Sequence, residues 1–355
     1  MRKTKLVISD LHVHTGPRLP DGRRNVFEEF SEDDLLIEFL EHFSAGEYAA
    51  DDLELIINGD FFNLLEIVGD NRATETITAE VAVAHLERIF AGHPDLFDAL
   101  HDFARREHKS LTFIVGNHDA ALLFPEVQRA LHQRLGRQVE IKNYYSYGGV
   151  FIIHGHQYEF IHNFDMRDFT HRDPDGVECL KLPYGSLFVI QFLRRMKSRR
   201  PYIDKVKPFE KYLRWAFWND HLFFWRVIFG IIGFWSVNRF SRDPYRRREF
   251  ALSPMRFLNA MTHKSLPRTA EDILRQTNYK LVVMGHSHKI DYHLFGNFRE
   301  YFNTGTWTEI ISVDVAQLGR SYLRPYVKID FEKDTPRASL HNWIGSHRLT
   351  HELIP

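Results

Sequence analysis

Apolar runs of strand length recur along this chain, and five of them end on polar side chains able to bind metal or move protons. Phe113 to Asp119 is the plainest: three apolar residues reach Gly116, and Asn117, His118 and Asp119 follow at once. A buried parallel strand delivers chemistry to its C-terminal edge in this way, with glycine allowing the sharp turn. Taken alone, the stretch suits equally a turn into a helix capped by Asn117 or Asp119. Four further runs share the pattern, ending on Asp10 and His12, on Asp60, on His154 and His156, and on His286 and His288. A structural core alone does not need five such strand ends.

The spacing between these runs sets the expected architecture. Strands over 5–9, 53–58 and 111–115 alternate with apolar positions at helical spacing, such as Leu35, Leu36, Phe39, Leu40 and Phe43. Further helices are predicted near 74–91, near 94–108 and up to about 135, so a mostly parallel sheet covered by helices is expected. Short strands follow over 138–142, 144–147 and 149–153. The C-terminal part, 281–284, 290–295, 298–302, 308–315, 321–330 and 337–342, predicts successive antiparallel strands. The fold class is therefore α/β, a two-layer sandwich with a sheet from each half, carrying a largely helical insertion.

Residues 1–156 and 278–355 are assigned to the main domain and 157–277 to an aromatic, basic cap. Over 160–250 there are 18 Lys and Arg against 10 Asp and Glu, an excess of eight positive charges. The most apolar segment, Leu222 to Val237, is interrupted by Arg226 and falls short of the ~20 residues of a spanning helix.

Composition narrows the classes. A chain of 355 residues can bury a sizeable core, and 44% hydrophobic with 26% charged residues is ordinary for a folded protein. A formal net charge of −1 gives no global field for nucleic acid. The lone Cys179 excludes an internal disulfide framework and a cysteine-based zinc site, and suits a reducing compartment. The basic start Met1 to Lys5 runs into a strand-length apolar segment rather than a secretory signal, so a cytoplasmic location is expected.

The chemistry lies in the polar strand ends. Asp10 and His12 project from the same side of an extended segment and can share one metal. Asp60 has oxygens enough to bridge two cations, Asn117 offers a neutral oxygen, and His154, His286 and His288 offer imidazoles. This thiolate-free N/O set suits Mn²⁺, Fe or Zn²⁺ better than Ca²⁺ or Mg²⁺. Seven ligands are too many for one ion and right for two that share Asp60. Two metals about 3.5–4 Å apart serve phosphoester hydrolysis.

In that order, Asp-x-His, Gly-Asp, Gly-Asn-His-Asp, His-Gly-His and Gly-His-x-His resemble the motifs of the calcineurin-like metallophosphoesterases, over roughly residues 5–156 and 280–310. The resemblance implies two divalent metal ions, manganese first, with iron or zinc as alternatives. One would be held by Asp10, His12, Asp60 and His288, the other by Asp60, Asn117, His154 and His286. It implies hydrolysis by a water between the metals, with His118 stabilising or protonating the leaving oxygen and Asp119 orienting His118. Asn303 to Trp307 looks like the segment that closes the family's second sheet. Where the family often continues Gly-Asp-x-x-Asp/Glu, this chain has Asn63, which is assigned no ligand role. His14 reads as a loop residue, His156 as a neighbour of the ligands, and His162, His171 and His293 as surface or packing residues.

The place of the insertion resembles that of the cap in UDP-2,3-diacylglucosamine pyrophosphatases. That group usually has Gly-Asn-Arg-Asp where this chain has Gly116-Asn117-His118-Asp119, and its cap is shorter. The comparison implies a phosphoester substrate that is lipid-linked or a nucleotide-lipid, with peripheral membrane contact through the cap. A nuclease or cyclic-nucleotide phosphodiesterase would use the same metal site, the aromatic and basic insertion stacking bases and contacting phosphates. A non-catalytic scaffold of the same fold would be expected to have lost ligands, and here all seven and His118 are present.

Overall fold

The structure is a computed structural model that describes residues 2–19, 21–67, 75–252, 265–313, 318–333, 335–346 and 351–354. Two sheets pack face to face. The first holds strands β1 (Lys3–Ile8), β2 (Asp52–Asn58), β3 (Lys109–Ile114) and β4 (Glu140–Lys142), all parallel. The second is built on β5 (Tyr145–Tyr147), β6 (Val150–Ile152), β10 (Leu281–Met284), β11 (Ile290–Phe295) and β12 (Arg299–Thr304).

Period-two alternation explains why both faces of the first sheet are apolar. Leu6 and Ile8, Leu55 and Ile57, and Leu111 and Phe113 face the helical layer, while Val7, Ile56 and Ile114 face the other sheet. The helical layer comprises α1 (Asp33–His42), α2 (Ala79–Gly92), α3 (Pro94–Arg105) and α4 (Pro125–Leu135). Between the sheets, Val150, Ile152, Leu281, Val283 and Phe302 meet the inner face of the first. The helix Leu266–Gln276 closes the far side, Leu266, Ala270 and Leu274 packing on Val282 and Met284.

The C-terminal strands depart from expectation. The second sheet is not a run of antiparallel strands, because β10 pairs parallel with both β6 and β12. Strands β15 (Pro325–Glu332), β16 (Thr335–Asn342) and β17 (His351–Ile354) return to the first sheet, where β15 lies antiparallel to β1. Val327 and Ile329 fill the inner face there, and without β15 the buried β1 would be an unpaired edge. The strand expected over 308–315 is β13 (Ile310–Ser312), whose predicted last residues lie outside the described ones, as does the expected start of α2 at 74. β13 forms a small sheet with β9 (Val206–Lys207) and β14 (Gly319–Ser321).

The segment after His156 is mainly helical: α5 (Tyr184–Phe188), one wide turn over Val189–Leu193, α6 (Arg194–Lys197), α7 (Phe209–Asn219), α8 (His221–Arg239) and α9 (Pro244–Ala251). It also carries a hairpin of β7 (Thr170–Arg172) and β8 (Glu178–Leu180). The turn chemistry was in the sequence: Asp173 Oδ1 accepts from the Asp175 and Val177 amides, and Gly176 takes φ +80°. Leu187, Ile190, Phe192, Val227 and Phe234 of this segment join the same core as the first sheet's helices.

Candidate metal centre

The C-terminal ends of β1, β2, β3, β6 and β10 converge at one edge of the sandwich. Asp10 and His12 follow β1, Asp60 follows β2, Asn117 and His118 follow β3, His154 follows β6, and His286 and His288 follow β10. Backbone bonds tie the turns together: the Asp10 and His12 amides donate to the Gly59 and Asp60 carbonyls at 3.1 and 2.9 Å, and the Gly285 amide donates to the His154 carbonyl at 2.9 Å.

The turns are tight enough to leave no room for a side chain at two glycines. A Cβ on Gly116 would lie 2.2 Å from Asp60 Oδ1, and one on Gly285 would lie 2.5 Å from Asp10 Oδ2. The backbone is also strained. Asp10, His12, Asp60, His286 and His288 all adopt left-handed φ values, from 52° to 68°, each at a cost of about 1–3 kcal/mol. Backbone strain of this kind persists only where the surroundings over-determine it.

The side chains form overlapping groups, each with its donor atoms within 4.8 Å of one another: Asp10, His12 and His288; His12, Asp60 and His118; Asp60, His154 and His286. His12 Nε2 and His288 Nε2 face each other at 3.0 Å, and His288 Nε2 lies 3.4 Å from Asp10 Oδ1. His154 Nε2 is 3.2 Å from Asp60 Oδ2, close but without hydrogen-bond geometry. His154 Nδ1 donates to the Asn58 carbonyl at 2.8 Å, which leaves Nε2 as the lone-pair nitrogen when the ring is neutral. Asn117 Oδ1 is buried without a hydrogen-bond partner. Six of the seven residues expected as ligands thus share these groups, and Asn117 stands beside His118 in the turn after β3. Asp10, His12, Asp60, Asn117 and His154 are buried, and His118, His286 and His288 form the half-buried mouth.

Electrostatics favour cations. Burial opposes ionising Asp60, yet the neighbouring His154 and His118 outweigh it and hold the carboxyl well below its usual range. Asp10 is lowered likewise, against its burial, by His154 and His288. Burial, with neighbouring imidazoles, keeps His12 and His286 below their ordinary value, so their lone pairs are free at neutral pH. His154 goes the other way: burial would lower it, but Asp60 and Asp10 push it up to about 10. Two anionic carboxylates, the neutral imidazoles of His12 and His286 and a buried amide oxygen without a partner fit divalent metal, and an ion bound at His154 would take the place of its Nε2 proton.

Asp119 is corrected. Its carboxylate does not reach the His118 ring; Oδ1 accepts from the Gly116 amide at 2.6 Å and Oδ2 from the Phe61 amide at 3.0 Å. It clamps the turns after β2 and β3, because buried amides there need an acceptor. Burial, with the nearby Asp60 charge, raises this carboxyl to about 7. His118 is placed instead by its own amide, which donates to Asp60 Oδ1 at 2.7 Å, and by an edge contact with the His12 ring at 4.5 Å.

Two residues of the site escaped the sequence reading. Glu159 Oε2 lies 3.0 Å from His286 Nε2 and 2.9 Å from His162 Nδ1, and the three form a further group of potential donors. His162, expected as a surface or packing residue, therefore belongs to the mouth. The only signal was their place, just beyond His156. His156 itself is fully buried beside His154 and stacks on Phe164. His14 is buried against His85, and Asn63 bonds Glu66, both away from the centre. His171 pairs with Asp243, and His293 with Asp291. Asn303 to Trp307 braces the centre as well as the sheet: Asn303 Nδ2 donates to the Gly285 carbonyl at 2.7 Å and Thr306 Oγ1 to the Asp10 carbonyl at 2.5 Å.

The sequence model of the calcineurin-like phosphoesterase family matches residues 4–290. No curated protein matches the chain. Among solved structures, a conserved uncharacterized protein of Streptococcus pneumoniae described as a predicted phosphoesterase aligns over 100% of this chain and 99% of its own, at 10% identity and TM-score 0.32. Vps29 of Entamoeba histolytica complexed with Zn²⁺ aligns over 99% of this chain and 98% of its own at 10% identity and TM-score 0.32. Vacuolar protein sorting 29 of Cryptosporidium parvum aligns over 100% and 99% at 12% identity and TM-score 0.32. At those scores the structural likenesses carry no functional argument.

Proposed function

The chain belongs to the calcineurin-like phosphoesterase family, and from that premise we propose that it is a di-metal phosphoester hydrolase. The observation that carries this reading is the position of Asp60. Its carboxylate belongs both to the group with His12 and to the group with His154 and His286. Asp10, His12, Asp60 and His288 would hold one ion, and Asp60, Asn117, His154 and His286 the other, with manganese as the first choice. Such a pair, when bound, acidifies water and neutralises charge on the phosphoryl oxygens.

The remaining chemistry falls to the chain. His118 stands half-buried at the mouth, and its burial holds its pKa below the ordinary value, so it is neutral at pH 7. A ring N–H there can donate a hydrogen bond to a leaving or phosphoryl oxygen. Asp119 keeps the turns in register and so serves as a positioning residue.

A cavity of about 820 Å³ has His288 in its wall and supports an extended substrate. Lys207 and Lys289 line it with Thr306 and Thr308, together with apolar Ile290 and Leu323. That mixture suits a phosphodiester or diphosphate whose second substituent is partly apolar, the lipid-linked class.

Metal analysis of the purified protein, with hydrolysis of bis(p-nitrophenyl) phosphate in Mn²⁺, tests the reading. Two metals per chain with turnover are expected. Asp60→Asn should empty both positions, while His118→Ala should keep both metals and lose about 10²–10⁴-fold in rate. Two-metal occupancy in Asp60→Asn would defeat the shared-ligand assignment.

A further inference from the structure

Helix α8 is apolar on two opposite faces. One face, with Phe223, Val227 and Phe234, joins the core. The other presents Leu222, Trp225, Phe229 and Ile232, recurring every three or four residues, to solvent, and exposed Phe240 follows the helix end. Leu222 is 84% exposed, Phe229 65% and Phe240 77%. The patch continues onto α7, where Trp218 is 74% exposed. Ring contacts of 4.8 to 5.8 Å link Trp218, Phe217, Phe224, Trp225 and Phe229 into one aromatic surface. Contiguous exposed apolar area of this kind marks an interaction surface rather than scattered surface residues.

Charge at the rim says what covers it. Arg195, Arg199 and Arg226 line a cavity of about 370 Å³ between α6 and α8, floored by Phe192 and Phe234. Among the described residues none of the three has a carboxylate partner. The one acid lining the cavity, Glu75, is engaged by Gln191 and Arg246. Asp220, at the α7–α8 corner, is taken up by Arg200 and by capping α8. The surface therefore offers tryptophan and phenylalanine at its centre and unpaired guanidinium groups at its edge, the combination that suits anionic headgroups above acyl chains.

We propose that the α7–α8 face docks on an anionic phospholipid membrane, with the Arg195–Arg199–Arg226 cavity holding a lipid phosphate. Contrary to the shorter apolar run read from the sequence, helix α8 spans 19 residues and has the length and composition to cross a bilayer. Its inner face, however, is committed to the core, and Arg226 lies on the exposed side. The helix thus lies along the interface, with arginine side chains reaching toward the headgroups. This docking does not depend on the hydrolase reading, because it uses none of the candidate ligands.

Flotation of the full-length protein with vesicles tests it. The protein should float with phosphatidylcholine vesicles containing 30% phosphatidylglycerol, and about tenfold less with phosphatidylcholine alone. Bromine-labelled acyl chains should quench its tryptophan fluorescence. Trp218→Glu with Phe229→Glu should abolish flotation, and Arg195→Gln with Arg199→Gln and Arg226→Gln should remove the preference for the anionic lipid. These side chains are exposed or line a cavity, and an unchanged melting temperature checks that the fold is kept. Failure of the unaltered protein to float on anionic vesicles would overturn the proposal whatever the variants do. So would a dimer in solution that the Trp218 and Phe229 substitutions dissociate, or protein left in the membrane after an alkaline carbonate wash.

Discussion

Glu159 fixes which nitrogen of His286 carries a proton. Its Oε2 accepts from Nε2 at 3.0 Å, so Nδ1 is left with the lone pair. Burial opposes the charge on Glu159, but hydrogen bonds from His162 and His286 hold its carboxyl far below the usual range. Glu159→Gln should weaken metal binding at the position of His154 and His286 by about 10–100-fold and leave that of His288 intact. Isothermal titration of metal-free protein with Mn²⁺ would show one strong and one weakened step. Two unchanged steps would make Glu159 a bystander. A histidine three residues from a glutamate in a loop has no distinctive pattern, which is why this pair was not legible in the sequence.

At the scale of elements, the strand ends were legible because alternation and a terminal glycine are local signals. Each of the five runs that predicted a polar strand end is a strand or runs directly out of one, and six of their seven candidate ligands share donor groups. What was not legible is pairing over long separations. Nothing near Val327 announces that its partner is Val7. The same holds for the join between the inserted helices and the main domain. Lys197 of α6 is buried, with Nζ 2.6 Å from Glu29, 3.2 Å from Glu66 and 2.8 Å from Asp204. Burial would lower the lysine, but these acids hold it well above its usual value. Burial, with the Glu29 charge, raises Asp204 to about 6, whereas Lys197 overcomes burial to hold Glu29 at about 2. In the sequence, Lys197 stands among Arg194, Arg195, Arg199 and Arg200 with nothing to set it apart. Lys197→Met should cost about 3–5 kcal/mol in urea unfolding, because it strands buried carboxylates rather than a surface charge. A loss under 1 kcal/mol would mean the acids simply take up protons.

For the whole molecule loaded with metal, so that His154 is held as a ligand and does not titrate, the pH dependence of stability should show an alkaline step. His93 is buried where α2 meets α3, its ring nitrogens 2.7 Å from Asp33 and 3.1 Å from Glu28. Burial would lower it, yet those two partners raise it from 6.5 to about 9. A raised folded-state value means the stabilisation is complete below pH 6.5 and is lost as pH climbs through 9. Chemical denaturation should lose up to about 3 kcal/mol across that window, and His93→Gln should flatten it. A slope that persists in the variant would assign the step to another group.

The left-handed backbone at Asp10, His12, Asp60, His286 and His288 sets stability and use against each other. Glycine would relax each of these positions, and proteins as a rule have only about 5–15 kcal/mol to spare. A lineage screened for thermal endurance alone would be expected to drift toward glycine at these five places and lose its metal ligands while melting higher. Any laboratory evolution of this chain for robustness therefore needs a simultaneous demand on metal binding, or it will select an inert relative.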